Sequence, residues 1–111
     1  YSYTPVSSSS YIVVEFNGRW YLSGSSVDTW YGNLYVASTQ IGVGHQFWTS
    51  ATDGSTNRQG SILPIMGRYT NSDTTTKAVY LQFNRDYSDD SMYLIYNNNV
   101  GFWMKITEIG R

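Results

Sequence analysis

Short runs rich in β-branched and aromatic residues recur along this chain, separated by Gly, Asn, Asp and Ser, and no stretch keeps apolar residues at helical spacing. Val79, Leu81 and Phe83 alternate with Tyr80 and Gln82, and Phe102, Met104 and Ile106 alternate with Trp103, Lys105 and Thr107. A period of two places one set on a buried face and the other toward solvent, the pattern of a half-buried strand. Strands are predicted at 11–16, 19–22, 34–39, 46–50, 61–66, 77–84, 91–96 and 102–109. Eight short strands with turn signals between them predict an all-β fold: a single antiparallel β-sandwich, jelly-roll-like, over residues 11–111. No internal repeat supports a propeller or trefoil.

The strongest local signal is Asn17-Gly18, between the runs Tyr11-Ile-Val-Val-Glu-Phe16 and Arg19-Trp-Tyr-Leu22. A type I′ turn needs positive φ at both central residues, which Asn and Gly supply, so a hairpin is expected there, with Phe16 facing Arg19 and Val14 facing Tyr21. Such a hairpin is apolar on both sides. One side would pack on the second sheet and the other against a partner subunit.

Composition narrows the function. Seven Lys plus Arg against eight Asp plus Glu leave a net charge of −1, too balanced for non-specific capture of a phosphate backbone, and no RNA-binding motif is present. With no Cys and one His, thiol nucleophiles, zinc–thiolate cages, iron–sulfur clusters and multi-histidine sites within a chain are excluded, and no cofactor is implied. No run approaches the ~18 apolar residues of a membrane span, so membrane insertion is not expected. Ser, Thr, Asn and Gly supply 44 residues and aromatics 17% of the chain, which suits strands, polar turns and stacking surfaces. The first ten residues combine Pro5 with a serine run and read as an extended linker, and the internal placement of all three Met suggests a piece of a longer polypeptide.

The candidate chemistry lies in the loops. Trp30 and Tyr31, flanked by Asp28 and Asn33, read as two loop aromatics on which a sugar ring can stack while polar neighbours hold its hydroxyls. Asn57 and Arg58, near Asp53, form a second polar cluster suited to a sugar or an anionic group. Asp86, Asp89 and Asp90 read as a solvated turn; their hard oxygen ligands leave calcium open, although EF-hand spacing is absent, and no metal site is assigned. His45, in Ile41-Gly-Val-Gly-His45-Gln-Phe-Trp48, lacks a nucleophile-elbow pattern and reads as a structural histidine. No catalytic residue is assigned, and a non-enzymatic protein is expected.

The closing run Val100-Gly-Phe-Trp-Met-Lys-Ile-Thr-Glu-Ile109 resembles the last strand of the C-terminal heads of bacteriophage tail-fibre and receptor-binding proteins, where a Lys-Ile-Thr-Glu-Ile ending is common. Ile62-Leu-Pro-Ile-Met66 and the Tyr-rich strand after it are similar to them too. The resemblance covers about the last half of the chain and transfers no binding residues. It implies a trimeric β head at the distal end of a virion's tail fibre, binding a bacterial surface glycan or outer-membrane receptor. The rival expectation is an extracellular lectin or carbohydrate-binding module, and a third is a purely structural fibre or capsid domain.

Overall fold

Alternating buried and exposed positions organise the chain into two antiparallel sheets packed face to face. The structure is a computed structural model that describes residues 1–23, 29–48, 59–85, 91–94 and 103–111. Its strands are β1 (Ser2–Tyr3), β2 (Ser10–Ser23), β3 (Thr29–Val36), β4 (Thr39–Trp48), β5 (Gln59–Asn71), β6 (Lys77–Arg85), β7 (Ser91–Leu94) and β8 (Trp103–Gly110). One sheet runs β1-β6-β3-β4; the other is built on β2, with β5 along one edge and β8 then β7 along the opposite edge. The all-β antiparallel sandwich expected from the sequence is therefore the architecture.

The core fills the space between the sheets. Ile12, Val14 and Phe16 of β2 and Ile65 of β5 meet Leu34 and Val36 of β3 and Val79 of β6, all buried, with Tyr3, Ile41, Tyr69, Leu81, Met104 and Ile106 packed around them. The inward set falls on alternate positions, as the sequence pattern of β6 and β8 requires. At one side the edge strands β4 and β5 approach to backbone contact. A Cβ on Gly42 would lie 2.9 Å from the Met66 carbonyl oxygen, and one on Gly67 would collide with the Ile41 carbonyl. Glycine is what allows the sheets to close there.

Asn17-Gly18 is not a turn. Strand β2 runs straight through it, pairing with β5 from Ser10↔Asn71 to Leu22↔Gln59 without a shift, and with β8 from Ser10↔Gly110 to Asn17↔Trp103. A hairpin closed at Asn17-Gly18 would pair the two halves only with each other, whereas the extended strand gains a ladder on both edges. That long-range pairing outweighs the local turn preference. Phe16 thus faces Ile65 and Met104 rather than Arg19. The two-faced apolar hairpin disappears with it, since Ile12, Val14 and Phe16 are buried while Tyr11, Val13 and Glu15 on the opposite face are half-buried. The tight hairpin occurs instead at Ala37-Ser38, joining β3 to β4 through Val36↔Thr39, with Ala37 at a φ of 54°. The run 34–39, expected as one strand, straddles this turn.

The opening segment, expected as a linker, is packed into the domain. Strand β1 pairs with β6 through Ser2↔Ala78 and Tyr3↔Lys77, the Val79 N–H donates to the Tyr1 carbonyl at 2.7 Å, and Pro5 is buried. Composition favoured a linker because the serines carry little apolar surface. The segment is held by hydrogen bonds to a distant carboxylate, Glu108, described below.

Candidate functional site

Trp30 and Tyr31 lie in strand β3 rather than in a loop. Their register partners are Phe47 and Gln46 on β4, and Arg85 and Asn84 on β6. Trp30 and Tyr31 are successive positions of that strand. Asn33 is in the same strand and half-buried. Asp28, Asn57 and Arg58 lie outside the described residues, as do Asp53, Asp86, Asp89 and Asp90. The described strands still set where those segments attach: Thr29 pairs with Trp48, Trp30 with Arg85, Leu22 with Gln59 and Ser23 with Ser91. Strand ends flanking 24–28, 49–58 and 86–90 are therefore neighbours within each sheet, and 24–28 and 86–90 are each five residues long, which fixes both sheets' ends on one side of the sandwich.

On the outer face of β4-β3-β6, register brings Gln40, Tyr35 and Tyr80 into one row and puts Asn33 opposite Gln82 in the next. The Tyr35 and Tyr80 rings stack with centroids 5.1 Å apart and planes 6° from parallel. A cross-strand aromatic pair of this kind adds about 0.5–1.5 kcal/mol beyond its buried area and stiffens both side chains. The Tyr35 hydroxyl donates to Gln40 Oε1 and Gln40 Nε2 donates to Asn33 Oδ1, each at 3.3 Å. Tyr80, Gln82 and Gln40 are exposed. The surface combines a rigid aromatic pair with uncharged groups that both donate and accept hydrogen bonds, a combination matched to a hydroxyl-rich ligand. Of the residues expected at the site, the structure brings Asn33 to this face. Tyr35, Gln40, Tyr80 and Gln82 were missed, although the alternation of Tyr80 and Gln82 with Val79, Leu81 and Phe83 marks them as the outward set.

The run that carries the tail-fibre resemblance has structural duties. Lys105 points outward to Glu15 at 3.3 Å, while Ile106 packs on the core. The Glu108 carboxylate accepts from the Val6 N–H (2.8 Å), the Ser10 hydroxyl (2.7 Å), the Ser7 N–H (2.9 Å) and the Tyr3 hydroxyl (2.9 Å). Those donors, led by the Val6 N–H, hold its carboxyl down to about 2, and burial with the bond to Glu108 pushes the Tyr3 phenol up. Beside this staple, Asn71 Nδ2 donates to the Ser7 carbonyl at 2.6 Å. Asp73 is held at about 2 chiefly by the buried Lys77 ammonium, 2.6 Å away, and by Thr75. Between β1 and β8 lies a groove of about 230 Å³ lined by Tyr1, Tyr3, Met104 and Ile106. Among the described residues, no three His, Cys, Asp or Glu side chains are grouped to hold a metal ion.

Comparison with protein-family models, curated proteins and solved structures gave no match to this chain.

Proposed function

We propose that this chain is a non-enzymatic recognition domain, the β-sandwich head of a phage tail fibre, which binds a bacterial surface glycan. The observation that carries the reading is the Tyr35–Tyr80 stack flanked by Asn33, Gln40 and Gln82 on one exposed sheet face. A pyranose lays its C–H face on a tyrosine ring, and the amides exchange hydrogen bonds with its hydroxyls, replacing those lost to water. Trp30, Tyr31, Asp28, Asn57 and Arg58 belong to the proposal as further contributors. In a trimer, three weak sites act at high effective concentration and attach the virion firmly.

A secreted lectin module is the second reading. It gains from the loss of the two-faced hairpin, because β2 buries one face inside its own sandwich and no longer demands a partner subunit.

The test is an array of bacterial surface glycans probed with the labelled chain. Saturable binding to a hydroxyl-rich glycan is expected, with Tyr80→Ala weakening it about 10-fold, the scale of losing one aromatic anchor. No glycan binding, Tyr80→Ala binding as tightly as the parent, or release of reducing ends from the bound polysaccharide would each overturn the reading.

A further inference from the structure

The opposite sheet carries a different kind of surface. On the outer face of β5-β2-β8, Thr70, Tyr11 and Ile109 form one row of register partners, and Arg68, Val13 and Thr107 form the next. The Arg68 guanidinium lies over the Tyr11 ring, 4.5 Å from its centroid, and the Arg111 guanidinium lies 5.6 Å from the same centroid. Both arginines are exposed, and Arg111 Nη2 is anchored by donating to the Asn71 carbonyl oxygen at 3.0 Å. The ion pairs among the described residues are Lys77–Asp73 and Lys105–Glu15, so neither arginine has a carboxylate partner there.

Two permanently charged guanidiniums are thus gathered on one aromatic ring, within about 10 Å of each other. An anion held beside Tyr11 is attracted by both charges. Each presents a planar fork of N–H donors that fits a carboxylate or phosphate in a bidentate way, and the Thr70 and Thr107 hydroxyls stand on the adjoining rows. In a chain whose net charge is −1, this is a local concentration of positive charge.

We propose that Arg68 and Arg111, held over Tyr11, bind an oxyanion substituent of the recognised glycan: a uronate carboxylate or a phosphate. The inference rests on the glycan-binding reading but uses a separate surface. The Tyr35–Tyr80 face takes neutral sugar and the arginine pair takes the acidic group.

The experiment is an NMR titration of the ¹⁵N-labelled chain at fixed ionic strength with tri-galacturonate, inorganic phosphate and neutral maltotriose. Tri-galacturonate or phosphate is expected to give saturable shifts at the Tyr11, Arg68 and Arg111 amides, and maltotriose none there; the tighter of the two anions identifies the source. Arg68→Gln with Arg111→Gln should raise the Kd about 10-fold or more, while the Arg→Lys pair, which keeps charge but loses the fork, recovers only part of that loss. Absence of saturable shifts around Tyr11, or an unchanged Kd in the Gln pair with the folded spectrum retained, overturns the proposal. Acid-dependent shifts at Tyr11 with no array glycan acting at Tyr35 and Tyr80 would sink the neutral-face reading alone.

Discussion

A methyl group at position 67 would have nowhere to go. Gly67 faces the Ile41 carbonyl across the join between β5 and β4, and backbone on both sides prevents either from giving way. Gly67→Ala should therefore destabilise the fold by about 3 kcal/mol, at the upper end of overpacking costs, and a urea denaturation midpoint measures it. A midpoint equal to the parent's would mean the two sheets do not close at this edge. Glu108 makes the second prediction at this scale. Its folded carboxyl sits at about 2, below its ordinary 4.5, so its contribution is complete above pH 4.5 and is lost as pH falls from 4.5 toward 2. Asp73 acts in the same direction, from 3.8 toward about 2. Glu108→Gln should lower stability at neutral pH and flatten the acid limb of a stability-against-pH curve; a limb as steep as the parent's would contradict the staple. Neither role was legible beforehand. Glu108 is 98 residues from Ser10 and 105 from Tyr3, and a sequence does not reveal contacts at that separation.

At the scale of elements, periodicity was the reliable signal and turn chemistry the misleading one. The alternation along β6 and β8 holds among the described residues, with Val79, Leu81, Phe83, Met104 and Ile106 buried or half-buried and Tyr80, Gln82, Trp103 and Lys105 exposed. It holds because one face of each strand packs on the core and burial fixes register; Phe102 lies outside the described residues. Asn17-Gly18 misled because a turn preference of local origin competes with pairing on both edges of β2, and partners as far along the chain as Trp103 do not show in a local window. The actual hairpin at Ala37-Ser38 carries weak turn residues, with Ala37 held at positive φ by the flanking β3–β4 ladder. The same competition moved Trp30 and Tyr31 from an expected loop into β3. Continuity of β2 can be tested directly with Asn17→Val. A β-branched residue is costly at a type I′ turn and favourable within a strand, so the thermal midpoint should stay level or rise. A fall of several degrees would restore the hairpin.

For the whole molecule, the two sheets present unlike outer surfaces, one of tyrosines and amides and the other of arginines around Tyr11. Both are built on rigid strands, which hold a binding surface with less ordering cost than mobile loops. Light scattering separates the two readings of the assembly. A fibre head should give three times the 12.6 kDa chain mass, and a lectin module should give that mass once. The central claim, that a glycan is recognised on the Tyr35–Tyr80 face, is tested most directly by hydroxyl-radical footprinting of the chain with and without the array-selected glycan. Protection of Tyr35 and Tyr80, with Trp103 on the other sheet unchanged, is the predicted result; saturating glycan that leaves both tyrosines as reactive as in the free protein would contradict it.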